Sequence, residues 1–118
     1  AKKNRTRNLS DDVYATEVKS YTHNTSYDVI VAKDFIRKGD SVLLIDDFLA
    51  NGCALEGLAD IVEQAHASVA GAGIVIEKGF QDGGSRLRAR GIRLESLAVI
   101  ERMSPEEGVV FAPGPQEL

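Results

Sequence analysis

The sequence predicts an α/β domain with a parallel sheet at its core and a β-hairpin ahead of it. Three observations carry this: the continuous apolar run Val42-Leu43-Leu44-Ile45, an amphipathic stretch soon after it, and a second apolar run from Val69 to Ile76. Strand, helix and strand in that order form the crossover unit of parallel sheets. At 118 residues, 43% of them hydrophobic, the chain forms one domain (1–118) that buries roughly two-thirds of its unfolded surface, with no second core expected.

Each element has its own signal. Val13 to Thr22 and Tyr27 to Ala32 are rich in β-branched and aromatic residues, and His23-Asn24-Thr25-Ser26 between them is turn-like, so 13–32 reads as a hairpin. Its polar tip suits a flap over a site and a solvated edge ribbon equally well. Val42 to Ile45 is too short for a helix and reads as the central strand, buried on both faces. From Ala54 to Ala67 the residues Leu55, Leu58, Ala59 and Val62 recur at helical spacing and make one stripe that covers a sheet. Val69 to Ile76 is the second strand, and its Gly71 and Gly73 allow close approach of a neighbour. Ser85 to Arg90 is a short helix closed by Gly91, Leu94 to Ile100 a further strand, and Val109 to Phe111 an edge strand before a Pro/Gly tail at about 112–118.

Composition narrows the function. A net charge of -4 and a pI near 5.1 disfavour nucleic acid as a partner, because phosphate backbones attract clustered cations. A single cysteine, Cys53, permits no internal disulfide, and no apolar run is long enough for a bilayer. The expected setting is the cytoplasm and the expected partner a small molecule, not a membrane.

The informative stretch is Ile45-Asp46-Asp47-Phe48-Leu49-Ala50-Asn51-Gly52-Cys53-Ala54, where a strand ends and a helix begins. Ligands of open α/β sheets bind at such ends. Two adjacent carboxylates, Asp46 and Asp47, suit ribose hydroxyls and a Mg²⁺-bound sugar pyrophosphate; they suit a helix cap as well. The small residues around Gly52 let successive backbone N–H groups converge at the positive end of the following helix, as a phosphate cradle or simply as a tight turn. The pattern is neither a dinucleotide fingerprint nor a P-loop, so nucleoside triphosphates are disfavoured. A phospho-receiver domain would want a further aspartate at the end of a later strand, whereas Ile74-Val75-Ile76 is followed by Glu77-Lys78.

Val42 to Ala54 resembles the phosphoribosyl-pyrophosphate motif of the type I phosphoribosyltransferases in its xanthine phosphoribosyltransferase form. Ile74-Val75-Ile76-Glu77-Lys78-Gly79-Phe80-Gln81-Asp82-Gly83 resembles the segment of that family that carries the purine-binding lysine. The similarity runs from Ala1 to about Ile100. It implies that Asp46 and Asp47 serve the ribose hydroxyls, directly or through Mg²⁺, and that Ala50, Asn51, Gly52, Cys53 and Ala54 wrap the 5′-phosphate. It further implies that Lys78 meets a purine oxygen, against the plainer reading of a surface lysine at a strand end. Phe80 either stacks on the base or fills the core. Ser20 and Tyr21 fall on the flap, and Lys2 and Lys3 fall where the family places cations near pyrophosphate, although with Arg5 and Arg7 they equally make a solvated basic patch.

The activity implied is transfer of phosphoribosyl from phosphoribosyl pyrophosphate to xanthine, guanine or hypoxanthine in purine salvage, by a homodimer. A domain that senses phosphoribosyl pyrophosphate without chemistry is the alternative. Relative to the family the chain begins late, so the resemblance also implies an N-terminally truncated form of the fold, with its own turnover left open.

Overall fold

The computed structural model describes residues 1–4, 12–20 and 24–113. Tyr21, His23, Arg5 and Arg7 lie outside the described residues, as does most of the tail. The chain divides into two compact units, Ala1–Leu44 with Cys53–Ala70, and Ile45–Gly52 with Gly71 onward.

The first unit holds a three-stranded antiparallel sheet of order β1 (Lys2–Asn4), β3 (Thr25–Ala32), β2 (Val13–Ser20). The hairpin register pairs Val13 with Ala32 and Ser20 with Thr25, as the β-branched content of both segments requires. β1 had no sequence signal: its lysines have low strand preference, and its order comes from pairing Lys2 with Ile30 and Lys3 with Val29. Helix α1 (Cys53–Gln64) packs on the hairpin through Ile61 and Leu58. Val18, Val29 and Ile61 form the buried cluster, with Tyr14, Tyr27, Val31, Cys53 and Leu58 packed against it. Gly57 makes the approach close, since a Cβ there would stand 2.7 Å from Val18 Cγ2. Gln64 Nε2 donates to the Ala15 carbonyl at 2.8 Å, so the body of the hairpin is anchored.

A four-stranded sheet has the order β4 (Ser41–Leu49), β5 (Ser68–Lys78), β6 (Leu94–Ser104), β7 (Gly108–Phe111). β5 and β6 are parallel, with Ile74 opposite Ser96 and Lys78 opposite Ile100, and β7 closes the edge antiparallel to β6. The predicted parallel core and edge strand are both present. The second helix, α2 (Gly83–Ala89), starts two residues earlier than its sequence signal.

One expectation fails. β4 is a terminal strand of the described sheet, and its burial alternates: Leu44 is 5% exposed, while Leu43 and Ile45 are 61% and 65% exposed. An unbroken apolar run suggests burial on both faces, but along Val42 to Ile45 only the face that carries Leu44 is covered. Val75 on β5 and Leu97 on β6 are exposed as well.

Candidate phosphate and base site

The second unit carries the end of β4, the turn that follows it, the end of β5 and α2. Asp46 and Asp47 lie in the last turns of β4. Neighbouring strand residues project to opposite faces; Asp46 is half-buried and Asp47 exposed. The Asp47 N–H donates to Asp46 Oδ1 at 2.9 Å. One carboxylate thus braces the local backbone while the other is open to solvent.

The turn Ala50–Gly52 follows. Gly52 has φ +84°, a left-handed conformation in which glycine alone is unstrained. It is also pressed from outside: a Cβ on Gly52 would lie 3.0 Å from Gly83 Cα, and a Cβ on Gly83 would strike the Ala50 carbonyl oxygen and come within 2.7 Å of the Gly52 nitrogen. Two glycines are therefore packed backbone to backbone. The Gly83 N–H donates to the Ala50 carbonyl at 3.1 Å, and Arg86 Nη1 donates to the Asn51 carbonyl at 3.2 Å. With these carbonyls engaged by α2, the turn has a fixed backbone. In the first unit, Cys53 and Ala54 open α1; Cys53 is a small, partly buried residue packed against the hairpin core.

Lys78 ends β5, and its Nζ stands 5.0 Å from the centre of the Phe48 ring, within the range in which an aromatic face attracts a cation. Phe48 is 44% exposed and Phe80, just beyond Lys78, is 49% exposed; Phe80 is therefore not a core aromatic. Phe48 carried no distinct signal in the sequence, where it looked like one more apolar residue of the strand.

Behind Lys78 lies the one buried charged residue recorded among the described residues, Glu77, at 5% exposure. Arg88 Nη1 donates to its Oε2 at 3.2 Å and Nη2 to its Oε1 at 3.1 Å, a two-pronged contact matched to the guanidinium fork. Ser96 Oγ donates to Oε1 at 2.6 Å. Burial pushes the Glu77 carboxyl upward, but the bonds from Arg88 and Ser96 and the Arg88 charge outweigh it and hold the group below its ordinary value. Gly84 makes room for the pair: a Cβ there would strike Glu77 Oε2 and lie 2.8 Å from Arg88 Nη1.

The second unit thus brings together Asp46, Asp47, Ala50, Asn51, Gly52 and Lys78. In the first unit Ser20 ends β2, and Lys2 and Lys3 lie in β1, where Lys3 Nζ stands 4.6 Å from the Tyr27 ring. Tyr21 lies outside the described residues. Sequence reasoning missed Glu77, Gly83, Gly84, Arg86, Arg88 and Ser96. The paired glycines at a helix start were the available signal; nothing in spacing joins residue 77 to residue 96.

The chain matches no family model. A xanthine phosphoribosyltransferase of Lachnoclostridium phytofermentans is 55% identical over 114 residues, 97% of this chain and 59% of that protein. One of Alkaliphilus metalliredigens is 52% identical over 118 residues, 100% of this chain and 58% of that protein. The chain therefore spans somewhat under three-fifths of the length of these relatives. Among solved structures, the adenine phosphoribosyltransferase of Rhodothermus marinus superposes with a TM-score of 0.67 at 26% identity, over 81% of this chain and 53% of that one. That of Trypanosoma brucei gives 0.70 at 16% identity, over 90% and 48%, a likeness of fold alone. The architecture is that of the type I phosphoribosyltransferases. Over the residues it spans, the chain shares that fold, and its sequence relatives are named xanthine phosphoribosyltransferases. Among the described residues no helix is long and apolar enough to cross a membrane.

Proposed function

We propose that this chain is the part of a xanthine phosphoribosyltransferase that holds the sugar phosphate and selects the purine. The observation that carries the proposal is the arrangement at one end of the second unit: a carboxylate pair running into a braced glycine turn, with Lys78 beside Phe48 at the end of β5. The names of the sequence relatives support the same reading.

In this reading the backbone N–H groups of Ala50 to Gly52, and of Cys53 and Ala54 after them in the chain, bind the 5′-phosphate. Asp46 and Asp47 orient the ribose through its hydroxyls. Lys78 donates to an oxopurine oxygen, a charge-assisted bond that an adenine amino group does not return. A purine ring nitrogen forms the new bond to C1 of the sugar as the bond from C1 to pyrophosphate breaks, and the nitrogen's proton passes to solvent or a base. The developing positive charge on the sugar makes positioning and water exclusion the protein's main contributions. Phe80, half-exposed beside Lys78, is available to stack on the base.

The residues present fit Mg²⁺ in one way only. Among the described residues no group of three or more His, Cys, Asp or Glu side chains makes a metal cage, but Mg²⁺ commonly takes one or two carboxylates, several waters and substrate oxygens. Asp47, exposed, offers one such carboxylate, while Asp46 projects to the other face of the strand and accepts the Asp47 N–H. When bound, the ion neutralises pyrophosphate charge. The reading also includes a flap at Ser20 and Tyr21, a homodimer, a cytoplasmic setting and a salvage role, with guanine and hypoxanthine as further candidate bases.

Two substitutions separate the roles. Asp47→Asn is expected to weaken binding of the Mg²⁺ complex of phosphoribosyl pyrophosphate about tenfold, measured by calorimetry, with purine binding unchanged. Lys78→Ala is expected to lower xanthine affinity about tenfold, the worth of one charge-assisted bond, and to leave adenine affinity where it was. Equal loss for both bases would remove Lys78 from base selection. The direct test titrates the chain with phosphoribosyl pyrophosphate and Mg²⁺, adds xanthine, and follows nucleotide formation. Binding without product would fit the sensing role and an incomplete part of the enzyme alike; no binding would overturn the phosphate-turn assignment.

A further inference from the structure

We infer that the Glu77–Arg88 pair is a positioning device for the Ala50–Gly52 turn, acting through α2. The inference rests on the reading of that turn as the 5′-phosphate site. Glu77 receives both prongs of Arg88 and the Ser96 hydroxyl, and its side chain is 6% exposed against 49% for Arg88. Such a contact fixes the rotation of a helix only seven residues long, which has little stability of its own. The face so fixed presents Gly83 to the turn. From there the Gly83 N–H reaches the Ala50 carbonyl at 3.1 Å, Arg86 Nη1 reaches the Asn51 carbonyl at 3.2 Å, and Gly83 Cα occupies the space into which a Cβ of Gly52 would point.

Rotation of α2 about its axis would lengthen both bonds and open that space. Glu77 directly precedes Lys78 on β5. One buried carboxylate therefore sets the base-side lysine's strand end and the phosphate turn in a common frame. This is the kind of support that keeps a binding constellation within the tolerance affinity requires.

The test uses the double variant Glu77→Gln with Arg88→Met, which removes both charges and so leaves no unpaired buried ion. Two measurements are made on the chain: calorimetric affinity for ribose 5-phosphate, and amide hydrogen exchange at Gly83, with Ala72 as the internal reference. Ala72 N–H donates to the Arg93 carbonyl at 2.8 Å in the same unit and reports general loosening. The expected result is selective loss of Gly83 protection, with affinity for ribose 5-phosphate lowered on the order of tenfold to a hundredfold. Unchanged affinity, or parallel loss at Gly83 and Ala72, would overturn the positioning role. Absence of ribose 5-phosphate binding in the wild-type chain would instead overturn the phosphate-turn reading, and this inference with it.

Discussion

Gly83→Ala should destabilise the chain by about 3 kcal/mol and abolish measurable ribose 5-phosphate binding, although alanine is the better helix former. In an exposed helix interior, replacing glycine with alanine stabilises by about 1 kcal/mol. Here the added methyl meets backbone only: the Ala50 carbonyl oxygen, the Gly52 nitrogen at 2.7 Å and the Asn51 carbonyl carbon at 2.9 Å. No side chain can rotate away, so either α2 or the turn must move. Overpacking of this sort costs about 1–3 kcal/mol, and loss of the bond from Gly83 N–H to the Ala50 carbonyl adds about 1 kcal/mol. Gly84→Ala makes the contrast, because its methyl meets the movable ends of Glu77 and Arg88; that substitution should act on the ion pair and leave the turn's backbone in place. Urea unfolding and calorimetry on both variants check the result. If Gly83→Ala unfolds at the wild-type midpoint and still binds, the two backbones are not in contact as described.

The same two glycines show what was legible in the sequence. The hairpin, the strand–helix–strand crossover, the short second helix and the edge strand all announce themselves through periodicity and turn residues, which are local properties. The carboxylate pair and the turn around Gly52 were legible because strand-end chemistry is carried by consecutive residues. The brace was not. Glu77, Arg88 and Ser96 come from β5, α2 and β6, and their meeting follows from the parallel register and the rotation of α2, neither of which has a local signature. The exposure of Leu43 and Ile45 was hidden for a related reason: a run of apolar side chains states that a strand can be buried on both faces, and only the layers around it decide whether it is. β1 is the reverse case, a strand whose own residues do not favour one and whose order comes from its partner β3.

The acid limb of stability should report on Glu77. Its carboxyl is held below its ordinary value of 4.5 in the folded chain, so the unfolded chain binds the proton more readily, and stability rises with pH across that interval. The contribution is complete above about pH 4.5, where both states are ionised, and is lost as pH falls through the lower folded-state value. Glu77→Gln keeps the shape and gives up the charge, so at pH 7 it should cost about 2 kcal/mol, the scale of hydrogen bonds to a charged group. Half-exposure of Arg88 argues against the larger penalty of a fully buried pair. At low pH the wild-type carboxyl is protonated and resembles the amide, so the two urea midpoints should converge as pH falls below about 4.5. A gap that stays constant from pH 7 down to the acid limit would mean that the substitution acts through packing alone. Convergence would identify the charge on Glu77 as the source of the stability that Glu77→Gln gives up, since at that pH the charge-assisted bond to Arg88 is the feature the wild-type chain has lost.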